Sequence, residues 1–320
     1  MSDRSSNADT GAGIGVDDDA GHAERTGFWF ALTAYGLWGV IPVYFKAVDF
    51  AGPFEIIAHR ICWAVLVLAA LIVLRGQMAG IRHLNRERLL WLLVSGSLLA
   101  VNWSVFIWAL LNERMLETSI GYYINPLVNV LLGGLFLSER LSRTQAIAVG
   151  LAGIGVLNEL FAVGVFPWVG LTLAFTFGFY GLVRKKIMVD SLVGLGVESL
   201  LLLPLAGGYL VWLYLTGVGS MAAGNGAEVA QLALGGPLTV IPLVAFAAAA
   251  LRLPLTTLGF FQYLAPTLTM LLAIFVYDEP FRSSQAITFA CIWAALAVFS
   301  YDAVAKQRRL RLTDEQTQVQ

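Results

Sequence analysis

Apolar residues are grouped along this chain in ten runs that are each long enough to cross a bilayer as a helix. The runs fall near residues 28–48, 54–74, 89–111, 115–137, 144–161, 166–183, 192–215, 229–250, 254–277 and 284–304. A helix needs about 20 mostly apolar residues to span the hydrocarbon, and unpaired backbone groups are too costly there for isolated strands. The pattern therefore predicts an all-α integral membrane protein with ten transmembrane helices.

Charged residues lie mostly in the short connections between these runs. If the N-terminus is cytoplasmic, most of the 20 lysines and arginines fall in cytoplasmic segments, whereas the opposite loops hold only Arg114 and Arg282. Cytoplasmic loops of membrane proteins carry such an excess of basic residues. Both termini are therefore expected in the cytoplasm, and the chain is expected in the cell membrane as a multi-pass protein.

Composition agrees with lipid as the solvent, since 58% of the residues are apolar and 13% are charged. Residues 1–26 are rich in Gly, Ser and Asp and are interpreted as a disordered acidic tail, and residues 306–320 as a cytoplasmic tail. The net charge of -1, without a basic surface, argues against a nucleic-acid partner. Cys62 and Cys291 both lie in apolar runs, so neither a disulfide framework nor a metal site is predicted.

The second half of the chain repeats the first at an offset of about 140 residues. Pro126 aligns with Pro266, Glu139 aligns with Glu279, and residues 145–147 align with residues 285–287. The copies, residues 27–161 and 162–305, each hold five predicted helices, so the second copy enters the membrane from the opposite side. Inverted repeats suit alternating access. A duplication that serves stability alone is the alternative.

Short motifs in both halves resemble a known family. Pro126 followed by Ser-Glu-Arg at 138–140, and Pro266 followed by Asp-Glu-Pro at 278–280, resemble the EamA repeats of the drug/metabolite transporter superfamily. The RarD branch of that superfamily is similar at residues 35–39, 59–60, 102–103, 121–129, 180–186 and 258–263. The resemblance covers roughly residues 27–305. It implies a ten-helix transporter of small molecules and leaves the cargo open.

Two prolines indicate where substrate binds. Pro126 and Pro266 are predicted in mid-helix, where proline removes a hydrogen bond and frees a carbonyl. Tyr122, Asn125 and Asn129 follow a helical spacing that places them on one face beside the first break. The residues expected to bind substrate around the two breaks are Tyr122, Asn125, Asn129, Gln262 and Tyr263. The alternative is that these amides only hold helices together.

Ionisable residues inside predicted spans are further candidates, because they are costly in lipid and usually face a pathway. Arg60 suits an anionic group of the substrate, and His59 or Glu198 suits a proton carrier. The alternative interpretation of these ionisable residues is structural pairing, or snorkelling of their charged ends to the membrane interface. Asn102, Trp103 and Tyr180 are assigned to the cavity wall, with packing as the alternative. The pairs Glu139 with Arg140 and Glu279 with Arg282 are expected to be helix caps or gate-side ion pairs.

These features favour a secondary transporter of a small metabolite or drug-like molecule, which works by alternating access with proton coupling as one energy source. The chain has no GxxxxGK[ST] loop, so neither ATP nor another cofactor is expected. The expected partners are a small-molecule substrate and the lipid bilayer, and a homodimer is left open. A membrane enzyme acting on a lipid-linked substrate is disfavoured because the three histidines are scattered. A channel or receptor scaffold is a third reading.

Overall fold

The computed structural model describes residues 14–136, 142–163, 166–250, 252–253 and 261–318. Within these ranges every regular element is a helix. The helices are α1 (Ile14–Ala47), α2 (Pro53–Leu74), α3 (Met78–Arg82), α4 (Arg86–Leu111), α5 (Met115–Phe136), α6 (Arg143–Val163), α7 (Trp168–Ile187), α8 (Ser191–Leu215), α9 (Gly226–Ala233), α10 (Gly235–Ala250), α11 (Leu264–Phe275) and α12 (Ser283–Gln318). The prediction of an all-α chain is confirmed for the described residues.

Within the described ranges, six helical stretches are apolar and long enough to cross a membrane: Arg25–Ala47, Pro53–Leu74, Arg86–Leu111, Met115–Phe136, Ser191–Leu215 and Gly226–Phe246. Three shorter apolar helices are Trp168–Arg184, Leu264–Phe275 and Ser283–Phe299. Each of the nine coincides with one of the predicted runs, and α6 coincides with the tenth. The chain therefore carries multiple membrane-crossing segments, as its hydrophobic pattern predicts.

Several helix boundaries differ from the predicted ones. Helix α1 begins at Ile14 and α12 continues to Gln318, so both extend into the segments that the sequence assigns to tails. The predicted helix 229–250 is instead two helices, α9 and α10, separated by a turn at Leu234. The small residues Gly235 and Gly236 pack directly on α2 there, against Arg60 and Trp63. Of the predicted helix 254–277, residues 254–260 lie outside the described part.

Local sequence signals set the starts of the helices. Pro53 occupies the first turn of α2, where its missing N–H is unused and its fixed φ suits a helix. Asn85 caps α4 by accepting from the backbone N–H of Arg88 over 2.8 Å. Asp190 caps α8 by accepting from the N–H groups of Leu192 and Val193 over 2.9 and 3.2 Å.

The helices of the two halves contact one another in a paired pattern. The contact of α1 with α10 corresponds to that of α7 with α4, because α1 aligns with α7 and α4 with α10 in the repeat. In the same way, α2 with α10 corresponds to α8 with α4, and α1 with α11 corresponds to α7 with α5. The remaining main contacts join aligned helices directly, namely α2 with α8, α5 with α11 and α6 with α12.

The three pairs of aligned helices that contact each other directly run antiparallel. In α5 and α11, the start of α5 meets Glu279, just beyond α11, whereas Tyr123 meets Thr267 within α11. In α6 and α12, Asn158 bonds to Ser284 and the earlier residue Gly155 bonds to the later residue Thr288. For α2 and α8, Ile72 packs against Gly196, whereas Glu55 accepts from the backbone of Ser220, beyond the end of α8.

The bundle has two ends, the Glu279 end and the Arg184 end. At the Glu279 end lie the ends of α1, α4, α8 and α11 and the starts of α2, α5, α7 and α12; Trp108 of α4, for example, packs on Trp168 of α7. At the Arg184 end lie the end of α7 and the starts of α4 and α8, where Lys186 lies over the ring of Trp91. Most of the basic residues between helices lie at the Arg184 end.

Candidate functional site

Arg60 is a buried cation on α2 that is 6% exposed. Its Nε donates to Thr239 Oγ1 of α10 over 2.5 Å, and the Thr239 hydroxyl in turn donates to the carbonyl of Gly235. The guanidinium lies 3.9 Å from the ring centroid of Trp103 on α4 and 5.6 Å from that of Phe45 on α1. Among the described residues, no carboxylate comes within ion-pair distance of Arg60. The cation is thus held by aromatic faces and a hydroxyl, and its remaining N–H donors are suited to an anion.

Asn102 joins three helices next to this cation. Its Nδ2 donates to the carbonyl of Leu173 and to Thr176 Oγ1 on α7, both over 2.9 Å. Its Oδ1 accepts from the hydroxyl of Tyr122 on α5 over 3.2 Å. The ring of Tyr122 packs edge-on against Phe106, one turn from Asn102. Helices α4, α5 and α7 are therefore fixed to one another by polar contacts of one buried side chain.

Two polar side chains in the interior lack a hydrogen-bond partner within the described part of the chain. Asn125, one turn along α5 from Tyr122, is 1% exposed and its Oδ1 accepts no hydrogen bond there. Both ring nitrogens of His59, beside Arg60, are in the same situation. A buried polar group without a partner costs about 1–3 kcal/mol, so such groups mark a functional role or a missing partner.

Glu198 on α8 is the second buried charge of the site. Its Oε1 accepts from Ser95 Oγ on α4 over 2.5 Å and lies 3.5 Å from Arg184 Nη1 on α7. Its Oε2 accepts from the hydroxyl of Tyr180 over 3.4 Å. The carboxylate lies near the Arg184 end of the bundle, whereas Arg60 lies near the Glu279 end.

A ladder of polar side chains lies between these two charges. Ser95 and Asn102 are two turns apart on α4, and Thr176 and Tyr180 are one turn apart on α7. Asn102 bonds to Thr176, and both Ser95 and Tyr180 bond to Glu198. The interface between α4 and α7 therefore carries two groups of hydroxyl and amide side chains, one around Asn102 near Arg60 and one around Glu198, which lie one to two helical turns apart.

The structure brings together most of the residues that the sequence singles out. Six of them form the ladder and its ends, namely Arg60, Asn102, Trp103, Tyr122, Tyr180 and Glu198. Asn125 and His59 lie one turn or less from this group along their helices. Asn129 lies one turn beyond Asn125 on α5; it is exposed, and its Oδ1 lies beside Gly178 of α7.

The second proline is placed differently from the prediction. Pro126 lies inside α5 as expected, but Pro266 lies in the first turn of α11, where a missing N–H leaves no carbonyl unpaired. Gln262 and Tyr263 form the turn that precedes α11, and both are half-buried. Tyr263 stacks on the ring of Tyr123 at 6.4 Å. The helical run is thus interrupted at Gln262 and Tyr263, between the helical residue Phe261 and the start of α11, one turn before Pro266.

Sequence reasoning missed the hydroxyl and basic partners of the site. Ser95, Thr176 and Thr239 are single hydroxyls in apolar runs, a pattern that is common in membrane helices and carries no signal by itself. Arg184 was assigned to a cytoplasmic connection, although it reaches back into the bundle toward Glu198. The spacing of Ser95 from Asn102, and of Thr176 from Tyr180, is the one feature that places them on the functional faces.

Glu279 confirms the expectation of a helix cap. Its Oε1 and Oε2 accept from the backbone N–H groups of Met115 and Leu116, at the start of α5, over 2.8 and 3.0 Å. A cavity of about 290 Å3 lies beside it and is lined in part by Arg114, Glu117 and Arg282. Arg114 pairs with Glu117 over 2.6 Å. The first-half pair, Glu139 and Arg140, lies outside the described residues.

Known proteins resemble this chain over most of its length. Residues 25–158 match the EamA-like transporter family. An uncharacterized transporter of Vibrio cholerae is 48% identical, covering 88% of this chain and 93% of that protein. Protein RarD of Salmonella typhi is 45% identical, covering 89% of this chain and 98% of that protein. The chloramphenicol-sensitive protein RarD of Pseudomonas aeruginosa is 33% identical, and the match covers 88% of this chain and 96% of that protein.

A protein of known crystal structure shares the fold, with a TM-score of 0.56 and 20% sequence identity. The match covers 86% of this chain and 97% of the chain in that crystal structure. The relative from Vibrio cholerae is a transporter by name, and the described part of this chain has six helical stretches that are apolar and long enough to cross a membrane. The protein is a multi-pass transporter of the cell membrane. The chain thus belongs to the EamA-like transporter family and resembles its RarD-type members.

Proposed function

We propose that this protein moves a small polar metabolite or drug-like molecule across the membrane by alternating access. The observation that carries the proposal is the buried polar ladder between Arg60 and Glu198. Ionisable and amide groups are rare and costly inside membrane bundles, and they usually line a pathway for substrate or ions. Here they extend along two helices toward opposite ends of the bundle, so a cargo could be bound from either end.

Ten transmembrane helices in two inverted repeats, residues 27–161 and 162–305, would supply the moving parts. Two features support this arrangement: the contacts between halves come in exchangeable pairs, and aligned helices run antiparallel. A unit that can adopt two shapes allows the halves to exchange roles and open either end. The excess of basic residues at the Arg184 end supports a cytoplasmic location for that end and for both termini.

Cargo recognition is assigned to the region around Arg60. The guanidinium would bind an anionic group, because its charge has no acidic partner in the described chain. The unpaired Oδ1 of Asn125 would accept from a donor on the cargo. Tyr122, Asn102 and Trp103 supply a wall that combines hydroxyl, amide and aromatic surface. Gln262, Tyr263 and Asn129 are proposed to contact cargo only in other steps of the cycle.

Proton coupling is assigned to Glu198, with His59 as the second candidate. Uptake of a proton by Glu198 would remove the charge that holds Arg184 and would loosen the contact between α7 and α8 at the Arg184 end. His59 is buried without a hydrogen-bond partner in the described chain, and an imidazole can change its charge near neutral pH. Coupling at either residue would link cargo movement to the proton gradient.

Flux into proteoliposomes tests the proposal. Purified protein would be given labelled amino acids, labelled chloramphenicol and labelled organic acids, with and without a pH gradient. Saturable uptake that depends on the protein is the expected result, and empty liposomes provide the control. Unsaturable conductance in planar bilayers would instead indicate a channel. Accessibility tags on the two termini that label on opposite sides of the membrane would overturn the inverted repeat.

A further inference from the structure

Glu279 caps a helix from a distant part of the chain. It follows α11, yet its carboxylate accepts from the backbone N–H groups of Met115 and Leu116 at the start of α5. The turn that presents it is well defined, since Asp278 has a φ of 51° and the N–H of Glu279 donates to the carbonyl of Ala273. The side chain is 6% exposed. A carboxylate at a helix N-terminus also interacts favourably with the helix dipole.

This cap connects two aligned helices of the two halves. Met115, Ser119 and Tyr123 lie on one face of α5 at intervals of four residues. The first of them bonds to Glu279, and the last bonds to Thr267 of α11 over 2.6 Å. Ser119 lies between these two contacts and is fully buried. The cap therefore closes the seam between α5 and α11 at the Glu279 end.

An open cavity reaches this closure from the surface. The cavity of about 290 Å3 is lined by Glu279 and by Leu116 and Ile120 of the first turns of α5. Gly170 of α7 also lines the cavity, and it packs so closely on Gly121 of α5 that a Cβ on Gly121 would lie 2.7 Å from the carbonyl oxygen of Gly170. Solvent at the Glu279 end can thus approach the start of α5, where the cap separates it from the seam.

We propose that Glu279 is a latch that holds the Glu279 end of the transport pathway shut, and that release of Met115 and Leu116 opens the seam between α5 and α11. The proposal rests on alternating access as proposed above and adds the contact that controls one of its two openings. Glu279 is a positioning residue in this role, because it acts on cargo only through the movement of α5. The latch does not require Glu279 to bind or to repel the cargo.

A second helix cap provides the matched control. The carboxylate of Asp190 also accepts from two backbone N–H groups, those of Leu192 and Val193, but both belong to its own helix α8, and within the described residues this carboxylate bonds to no second helix. Removal of either carboxylate should weaken a helix start to a similar extent. Only removal of Glu279 should separate two helices. The comparison distinguishes a latch from an ordinary cap.

The test measures access to the seam by thiol labelling. Cys62 and Cys291 are replaced by alanine, and Ser119→Cys is introduced as a nearly isosteric reporter. A membrane-impermeant maleimide is applied to cells and, separately, to inverted vesicles, so that each side is tested. We expect Glu279→Ala to raise the labelling rate from the Glu279 side at least about tenfold, the change that one charge-assisted hydrogen bond accounts for. Asp190→Ala should leave the rate unchanged.

Glu279→Gln keeps the side-chain shape and one carbonyl acceptor, and it should raise the rate about threefold, as expected for a partial loss of the two bonds. It decides the matter if the alanine variant does not fold. Unchanged labelling in a folded Glu279 variant, or an equal increase in Asp190→Ala, would overturn the latch. Labelling needs no cargo flux, so a wild-type protein that failed to transport would refute the proposed function without affecting this result.

Discussion

The ring of Trp103 lies 3.9 Å from the guanidinium carbon of Arg60, measured to the ring centroid. The two residues belong to different helices, α4 and α2, so the contact fixes their relative rotation at the level of the proposed cargo site. A planar cation on an aromatic face keeps its edge free for hydrogen bonds. The arrangement explains how a buried arginine is retained without an acidic partner in the described chain.

Replacement of this cation should affect anionic cargo most. Arg60→Gln is expected to raise the Km for an anionic cargo by about 10- to 100-fold, as the loss of a charged hydrogen bond predicts. Arg60→Lys should recover only part of the affinity, since an ammonium group cannot present two parallel donors. Transport assays with anionic and neutral cargo would measure the difference. Arg75→Gln, at an exposed helix end, is the control. A Km of Arg60→Gln equal to that of the wild type would show that Arg60 has a structural role only.

Much of the fold follows from the hydrophobic pattern because lipid leaves few options for a backbone. The apolar runs coincide with observed helices, and charged residues such as Asp190 occur at their starts. Turns that depend on tertiary packing were not predictable. The turn at Leu234 lies where Gly236 packs closely on the backbone of Trp63, a contact between residues far apart in sequence. The sequence assigns the interruption of this helix to Pro266, because Gln262 and Tyr263, where the turn lies, include neither proline nor glycine.

The candidate site was predictable for charged and amide residues and much less so for hydroxyls. Arg60, Glu198 and Asn102 are conspicuous in apolar runs because each is costly unless paired. Ser95 and Thr239 are not, since a serine or threonine can satisfy itself on its own helix, as Thr239 does on Gly235. Only the three-dimensional arrangement shows which hydroxyls also bind a charged neighbour.

Asn125 should combine a gain in stability with a loss of transport when it is replaced. Asn125→Leu removes a buried oxygen that has no partner in the described chain, so the free energy of unfolding should rise by about 1 kcal/mol. The same change removes a proposed cargo contact and should lower flux with expression intact. Thermal unfolding in detergent and uptake assays would measure the two effects. Asn112→Leu, an exposed helix end, serves as the control, and undiminished uptake in Asn125→Leu would remove Asn125 from the cargo site.

Glu198 should control the response to a proton gradient. Glu198→Gln keeps an acceptor for Ser95 but cannot release or take up a proton, so cargo exchange should continue while its stimulation by a pH gradient is lost. Uptake at equal and unequal pH across the liposome membrane measures this difference. Glu113→Gln, an exposed carboxylate near the opposite end, is expected to behave like the wild type. Full stimulation of Glu198→Gln would exclude Glu198 as the proton carrier.

The contact between α5 and α7 depends on two glycines. A Cβ on Gly121 would lie 2.7 Å from the carbonyl oxygen of Gly170, and backbone cannot move aside as a flexible side chain would. Gly121→Ala is therefore expected to destabilise the protein by about 1–3 kcal/mol. Gly150→Ala places its methyl group in open space within α6 and should be neutral or stabilising by up to about 1 kcal/mol. Thermal unfolding of both variants tests this packing. Wild-type stability of Gly121→Ala would contradict it.

The remote cap has a consequence for biogenesis. The first N–H groups of α5 are satisfied by a carboxylate that the ribosome adds more than 160 residues later. Until that carboxylate arrives, water or a chaperone has to satisfy the start of α5. The first half of the molecule can therefore enter the bilayer early, but its fourth long helix reaches its final capped form only when synthesis is nearly complete.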